Sequence, residues 1–278
     1  MAFGIALKKI LIETSPLNNV GLVGTGQVAR FFAQRIPNSG LNLCWIAGRD
    51  IEKAEKLAFE SNTRAISLKT CSQNGADLVI CAVNDNSINE VTTNLIDLLP
   101  SQVAMVHTSG SQPITTIHRY FTSTGVMYPL QTFNLQDKYS EQDIPIIIQA
   151  NHRTLENQLT RMGQCMSTTV KVLNDEQRQV LHLSAVILNN FTNHLAVRAF
   201  DFLLGHNLDP KLLYPLLKKT TTMILGGQPE SIQTGPARRQ DSKTLNLHRN
   251  FLASAHPELL ELYNQLTKSI HDYYHAHR

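Results

Sequence analysis

Residues Asn19–Arg30 read N-V-G-L-V-G-T-G-Q-V-A-R. This apolar run, broken by Gly24 and Gly26 and followed by a helical pattern, predicts a strand, a tight turn and a helix start. Gly24 permits the turn, Gly26 lets a phosphate group approach the backbone, and Ala29 leaves room for the helix to pack on the strand. Amides at the helix N-terminus then face the phosphates. The sequence therefore predicts that a dinucleotide binds through Gly24, Thr25, Gly26, Gln27 and Val28.

The next residues complete a βαβ unit. A helical pattern covers 31–36, a Pro-Asn-Ser-Gly turn ends it, and 41–47 forms a second apolar strand. In such units the residue just past the second strand meets the adenosine ribose, where a carboxylate selects NAD and a cation selects the 2′-phosphate of NADP. Arg49 stands there, and Asp50 comes one residue late, where it could cap the next helix. The pattern favours NADPH as cofactor, with Arg49 as an ordinary solvated charge as the alternative.

Composition narrows the class of protein. Of the 278 residues 42% are hydrophobic, enough for a packed core, and the net charge of +3 comes with no basic run interleaved with aromatics. We therefore expect a small anionic ligand and no nucleic-acid partner. Cysteines 44, 71, 81 and 165 lack metal-ligand spacing, which predicts no metal site and a reducing, cytoplasmic location. No apolar run reaches the roughly eighteen residues of a membrane span, so no membrane partner is expected.

Strand-like apolar runs recur along the chain at 64–68, 77–83, 103–107, 125–128 and 144–149. The continuous run 78–83 suits a strand covered on both faces, which predicts an α/β fold with a doubly wound, mostly parallel sheet. Ligands of such sheets bind beyond the carboxyl ends of the strands. The loops at 24–28, 48–49, 84–85 and 107–111 should therefore converge. This adds Ala82, Val83, Asn84 and His107 to the predicted cofactor site.

The loop His107–Ser111 carries hydroxyl groups and a glycine directly after a buried strand. It could hold the nicotinamide and the substrate through Ser109 and Ser111. The alternative is a turn in which these side chains satisfy local backbone groups. The run Tyr128–Phe133 follows the next strand, and we interpret its apolar residues as packing against a neighbouring domain.

From residue 174 long helices replace the strands. Asn174 and Gln177 resemble a capping box, and the helical pattern runs to Gly205. Another helix starts near Pro210, and two more lie beyond residue 240. The predicted organisation is an N-terminal extension at 1–18, a dinucleotide-binding domain at 19–173 and an all-α substrate or dimerisation domain at 174–278.

The first of these helices is apolar on all sides, which predicts burial, yet it carries a polar stripe. At about 100° per residue, Asn189 and Asn193 fall within about 20° of His182, and Asn190 lies to one side. A lone histidine is most often a hydrogen-bonded structural group, but the amides make His182 a candidate catalytic residue.

A second polar cluster, T-G-P-A-R-R-Q-D at 234–241, separates two predicted helices. Arg239 could bind a substrate carboxylate through two hydrogen bonds from its planar guanidinium, or it could form a salt bridge with Asp241. Both are candidate substrate-binding residues.

Together these motifs resemble a family of Rossmann-like NADP oxidoreductases whose second domain is a domain of unknown function. The motifs are Gly24–Gly26, Val106–Ser111, Pro129–Phe133, His182–Phe191 and Thr234–Asp241. The sequence is more distantly similar to pyrroline-5-carboxylate reductase, ketopantoate reductase and β-hydroxyacid dehydrogenases. The resemblance implies a helical domain that builds a homodimer, and reduction of a C=O or C=N bond.

The sequence departs from the family patterns in three respects. Asn84 stands where the family has proline, and Gln240 stands where it has glycine. No lysine precedes Asn189 or Asn190 at the spacing that serves the carbonyl in β-hydroxyacid dehydrogenases. The proton donor is therefore not set by the resemblance.

The resulting hypothesis places NADPH across the sheet edge, with its nicotinamide near Asn84 and Ser109. His182 protonates the new oxyanion, Asn190 orients the substrate, and Ser109 or Ser111 donates a hydrogen bond. The expected substrate is a small 2-oxo or 3-oxo acid, with ketopantoate reduced to pantoate as the named example. The alternative is a sensor or scaffold that binds the dinucleotide without chemistry.

Overall fold

Strands and helices alternate through the first part of the chain. The computed structural model describes residues 17–69, 75–133, 143–227 and 229–275. The strands are β1 Asn19–Val23, β2 Asn42–Gly48, β3 Ala65–Ser67, β4 Leu78–Cys81, β5 Ala104–His107, β6 Thr124–Pro129, β7 Ile146–Ala150 and β8 Val170–Val172. The intervening helices are α1 Gln27–Asn38, α2 Ile51–Glu60, α3 Ile88–Asn94 and α4 Arg153–Met166.

The strands form one sheet in the order β3-β2-β1-β4-β5-β6-β7-β8. Strands β1 to β6 pair in parallel, β7 runs antiparallel to β6, and β8 is parallel to β7. The predicted doubly wound, mostly parallel sheet is therefore confirmed, while α4 and β8 were not predicted. Strand order reverses between β1 and β4, and ligands of such sheets bind at that reversal.

The register aligns the carboxyl ends of the central strands. Val23 of β1 is paired with Ala47 of β2 on one side and with Cys81 of β4 on the other, and Cys81 is paired with His107 of β5. The residues that directly follow these strands therefore meet at one edge of the sheet.

Both faces of the sheet are covered, which explains the uninterrupted apolar runs. Alternate residues of one strand enter different clusters: Leu22 packs on one side with Phe31 and Phe32, and Val23 packs on the other with Trp45. Trp45 is fully buried against β1, where a Cβ at Gly21 would lie 2.2 Å from its ring. The side chains of Cys44, Cys81 and Cys165 belong to this packed region. Cys71 lies outside the described residues.

Helices make up the rest of the described chain. They are α5 Asp175–Ala185, a π-helical segment Val186–Phe191, α6 Thr192–Gly205, a 3-10 turn Pro210–Leu213, α7 Tyr214–Leu225, α8 Pro229–Ile232, α9 Pro236–Arg239, α10 Ser242–Ala255 and α11 Pro257–His275. The capping box predicted at the start of α5 is confirmed, because Asn174 and Gln177 exchange hydrogen bonds. None of the described helices is long and apolar enough to cross a membrane.

The chain divides into two compact units, Met1–Asn189 and Asn190–Arg278. This division falls inside the π-helical segment, whereas the predicted domain boundary lies at 173/174. The expectation that the long helix is buried is wrong for the single chain, since Val180, Leu183 and Leu188 are exposed. An apolar surface on all sides of a helix indicates burial, but it does not say which molecule covers it.

Asn84 and Gln240, the two residues that replace the family's proline and glycine, differ in the backbone strain that the replacement causes. Asn84 has φ −59° and ψ 143°, a conformation that proline also adopts, so the loop keeps its course without the proline ring. Gln240 has φ 58° and ψ 34°, in the left-handed region that favours glycine. It ends α9, and Asp241 then caps α10 by accepting from the amide of Thr244.

Candidate active site

The turn after β1 is held by a close backbone approach. The amide of Gly24 donates to the carbonyl oxygen of Ala47 at 2.8 Å, and the amide of Ala82 donates to Val23 at 2.7 Å. Gly24 has φ 128°, and a Cβ there would lie 2.1 Å from the carbonyl oxygen of Ala82. A side chain at position 24 is therefore excluded by the fold itself.

Gly26 has a different reason to be glycine. It is the N-cap of α1 with an ordinary φ of −80°, and a Cβ there would meet nothing within 4 Å. No side chain caps the helix and no acidic residue lies in its first turn. The positive end of the helix dipole is thus left open toward an anion, as a pyrophosphate site requires.

These residues line a groove of about 280 Å³ at the sheet edge. Its walls come from the loops after β1, β2 and β4, and include Gly24, Thr25, Gly26, Gly48, Arg49, Asp50, Lys53, Ala82, Val83 and Asn84. The structure thus brings together most of the predicted cofactor-binding residues, although their contact with a cofactor stays a prediction.

The predicted ribose end of the groove is cationic. Asp50 caps α2 by accepting from the amide of Lys53 at 3.2 Å, and its other oxygen lies 2.9 Å from Lys53 Nζ. The hydrogen bond from the Lys53 side chain is the main reason that the pKa of the Asp50 carboxyl is lowered. Because both carboxylate oxygens are engaged, the exposed Arg49 and Lys53 face a ligand more readily than Asp50 does. This arrangement fits a 2′-phosphate.

The loop after β5 is ordered by a buried histidine. Nδ1 of His107 accepts from the amide of Ser109 at 3.2 Å, which leaves Nε2 as the protonated nitrogen that donates to the carbonyl oxygen of Pro113 at 3.3 Å. Burial is the largest cause that lowers the pKa of His107, to about 4, and Arg178 lowers it further. The ring is therefore neutral, and it shapes the loop from within; direct cofactor contact by His107 stays a prediction.

The two serines of this loop carry different bonds. Ser109 Oγ accepts from the amides of Ser111 at 3.1 Å and Gln112 at 3.0 Å, so the alternative interpretation as a local turn holds for it. Ser111 Oγ donates to Asp85 Oδ2 at 2.7 Å and thereby joins the loops after β4 and β5. Ser109 can still donate its hydroxyl hydrogen to a substrate, whereas Ser111 can only accept from one while it donates to Asp85.

Arg178 is the residue that sequence reasoning missed. It lies in α5 and is fully buried, yet its helical turn reads as an ordinary polar surface, D-E-Q-R. The guanidinium donates to the carbonyl oxygens of Ser109, Gly110 and Gln112 and to the side-chain oxygens of Gln149 and Asp175. Burial lowers its pKa, and Asp175 opposes that shift. Arg178 therefore fixes the loop after β5 to the helix that carries His182.

His182 pairs with a tyrosine from the neighbouring strand. Its Nδ1 lies 3.1 Å from the hydroxyl of Tyr128, at the end of β6. A Cβ at Gly110 would lie 2.5 Å from His182 Nδ1 and 2.7 Å from Cζ of Tyr128, so the glycine lets both rings contact the loop. The interpretation of Tyr128 as interdomain packing did not anticipate this pair.

The remaining candidates belong to the second unit. Asn190 is its first residue, and Arg239 ends α9. Asp241 is engaged as a cap, because its oxygens accept from the amide and the hydroxyl of Thr244. Roles of these three in substrate binding stay predictions. Within the described ranges no cluster of metal-ligating side chains occurs.

Known proteins resemble both parts of the chain. Residues 19–108 match the family model described as NADP oxidoreductase coenzyme F420-dependent, and residues 144–270 match Domain of unknown function (DUF2520). No curated protein shows a comparable match.

Solved structures match almost the whole chain. A Bacteroides fragilis protein assigned as an NADP oxidoreductase is 30% identical, covers 92% of this chain and 98% of its own, and has a TM-score of 0.81. A Thermotoga maritima protein is 23% identical over 92% and 98% of the two chains, with a TM-score of 0.71. A pyrroline-5-carboxylate reductase from Coxiella burnetii shares the fold at 15% identity over 91% and 98%, with a TM-score of 0.55.

Gly26→Ala should separate binding from folding. The substitution fits the unliganded fold but places a methyl group where the pyrophosphate is expected, so NADPH affinity should fall by about tenfold or more, roughly 1.4 kcal/mol. Gly24→Ala is the contrasting control, since its clash with Ala82 should lower the thermal unfolding midpoint. Calorimetric titration with NADPH and thermal unfolding measure the two effects. Unchanged affinity in Gly26→Ala would contradict the predicted site.

Proposed function

Because the chain belongs to the family of NADP oxidoreductases to which the Bacteroides fragilis protein is assigned, we propose that it reduces a C=O or C=N bond of a small carboxylic acid with NADPH. The observation that carries this proposal is the uncapped start of α1 at Gly26, which opens into the same groove as Arg49. A helix N-terminus and a cation that line one groove match the two phosphate-bearing parts of NADPH.

The loops after β4 and β5 are the proposed nicotinamide site. They are joined by the Ser111 to Asp85 hydrogen bond and lie next to the groove along the sheet edge. When bound, NADPH supplies the hydride. The protein residues must then orient the acceptor, stabilise the developing negative charge and deliver a proton.

Residues of this chain are available for each task. His182 is the proposed source of the proton, and the hydroxyl of Ser109 can donate to the oxygen that gains charge, whereas Ser111 already donates to Asp85. In the second unit, Asn190 is proposed to orient the substrate. Arg239 is a better candidate than Asp241 for binding a carboxylate, because Asp241 is negatively charged and already caps α10.

Substrate identity is proposed as a class, a 2-oxo or 3-oxo acid or a cyclic imino acid. Ketopantoate is the named example, and its support is the distant resemblance to ketopantoate reductase; a pyrroline-5-carboxylate reductase shares the fold. The second candidate function is a sensor that binds NADPH without turnover. The observation that favours it is that Ser109 Oγ accepts from two backbone amides, as it would in a purely structural turn.

A second copy of the chain is the proposed partner. Among residues of the second unit whose burial is described, only Ala237, Leu252 and Thr267 are buried. Large apolar side chains are exposed instead, among them Phe191, Leu204, Leu212, Leu216, Leu225, Leu247, Phe251 and Tyr273. A unit of this size cannot fold on so small a core, so a homodimer that covers these helices is proposed.

Replacing Arg49 should change cofactor preference. Arg49→Ala is expected to weaken NADPH binding by about tenfold or more and leave NADH binding nearly unchanged, because only NADPH carries the 2′-phosphate. Titration of both cofactors measures this, with Arg153→Ala, an exposed arginine on α4, as the matched control. An unaltered preference would refute the role of Arg49.

A substrate screen tests the reductase activity. Wild-type protein should oxidise NADPH in the presence of ketopantoate, another 2-oxo or 3-oxo acid, or pyrroline-5-carboxylate. His182→Ala should lower kcat by about 100-fold with NADPH affinity retained, while His194→Ala, an exposed histidine of α6, should behave as wild type. Tight NADPH binding with no turnover of any compound would favour the sensor.

Oligomeric state tests the proposed dimer. Light scattering after gel filtration should give twice the mass of one chain. Phe251 lines a groove of about 820 Å³ on the second unit. The substitution Phe251→Glu should shift the protein toward a less stable monomer. Phe59→Glu is the control, because Phe59 is 89% exposed on α2. A stable wild-type monomer at micromolar concentration would be the contrary result.

A further inference from the structure

Tyr128 is built into the sheet edge that forms the proposed active site. It lies in β6, whose neighbour β5 leads directly into the loop His107–Ser111. Its hydroxyl is 3.1 Å from Nδ1 of His182, and the two rings meet edge to face with centroids 5.8 Å apart. The strand, the loop and α5 therefore hold the phenol in one position.

The contacts of His182 Nδ1 indicate the path of a proton through this pair. Nδ1 of His182 is covered by the Tyr128 hydroxyl and by the backbone of Gly110, where a Cβ would come within 2.5 Å of it. These two contacts favour proton exchange between Nδ1 and the phenol. The phenol is half-buried and is therefore partly accessible to a substrate.

The charged groups around the phenol are few. Burial is the largest cause that raises the pKa of Tyr128. Arg178, which is buried beside the same loop, opposes this shift and favours the phenolate, and Asp85 adds to the rise. A phenol that is held protonated in this way can act as a proton donor, and the guanidinium limits the cost of its transient loss of a proton.

We infer that Tyr128 is a catalytic residue that gives its hydroxyl proton to the oxygen or nitrogen being reduced, and that His182 restores this proton. The inference rests on the proposed function. As the hydride reaches the carbon, the C=O electron pair moves to oxygen, the phenol O–H bond breaks and a substrate O–H bond forms. The phenolate then takes the proton from Nδ1 of the imidazole as Nε2 takes a proton from water, which leaves the ring neutral with its hydrogen on Nε2.

Tyr128→Phe is the direct test, because it removes one oxygen atom and keeps the ring. With the compound that the screen above shows to be reduced fastest, kcat should fall by about 100-fold or more, and KM and NADPH affinity should stay within about twofold. Tyr120→Phe is the matched control, since Tyr120 lies in the same unit and is exposed. It should retain wild-type values.

A second measurement needs neither cofactor nor turnover. In nitrogen-15 NMR spectra of histidine, the Nδ1 resonance of His182 should move in Tyr128→Phe, its Nε2 resonance should move less, and Tyr120→Phe should leave both in place. Turnover of Tyr128→Phe within about tenfold of wild type would overturn the inference and leave the reductase intact. Wild-type protein that binds no NADPH would instead refute the proposed function.

Discussion

The close approach of β1 and β4 is the constraint on which the rest of the site depends. The carbonyl oxygen of Ala82 would lie 2.1 Å from a Cβ at position 24, so the two strands can be neighbours only with glycine there. This contact turns the chain and starts α1 at the edge where strand order reverses. The start of α1, Arg49 and the loop at Asn84 are all positioned by this contact.

Farther along the same edge of the sheet, the loop after β5 is positioned by a buried cation, Arg178. Taking a guanidinium out of water costs several kcal/mol, and Arg178 offsets this cost through hydrogen bonds to five acceptors. Three of these are carbonyl oxygens of one loop, at Ser109, Gly110 and Gln112. The loop that carries Ser109 and the helix that carries His182 are thereby joined across about 70 residues of sequence.

Local sequence patterns predicted those parts of the fold that a single local interaction or a uniform environment determines. Apolar runs located the central strands because both sheet faces are covered, and Asn174 with Gln177 located the start of α5 because a capping box is a local interaction. The π-helical segment Val186–Phe191 was not predicted, since it breaks the regular 100° spacing by which Asn189 and Asn193 were placed on one face. Arg178 was missed for another reason: of its five acceptors only Asp175 lies in α5, and no spacing within the helix reveals the four that come from distant residues.

The glycines of the site show why a sequence motif needs a structure to be interpreted. Gly24, Gly26 and Gly110 look equivalent in sequence, but a Cβ would meet different surroundings at each of them. A Cβ at Gly24 would strike the backbone of the fold, and one at Gly110 would strike the two rings of the proposed proton-donating pair. A Cβ at Gly26 would strike nothing in the protein. The space beside Gly26 is therefore not filled by the protein, which supports the proposal that a phosphate approaches the start of α1 there.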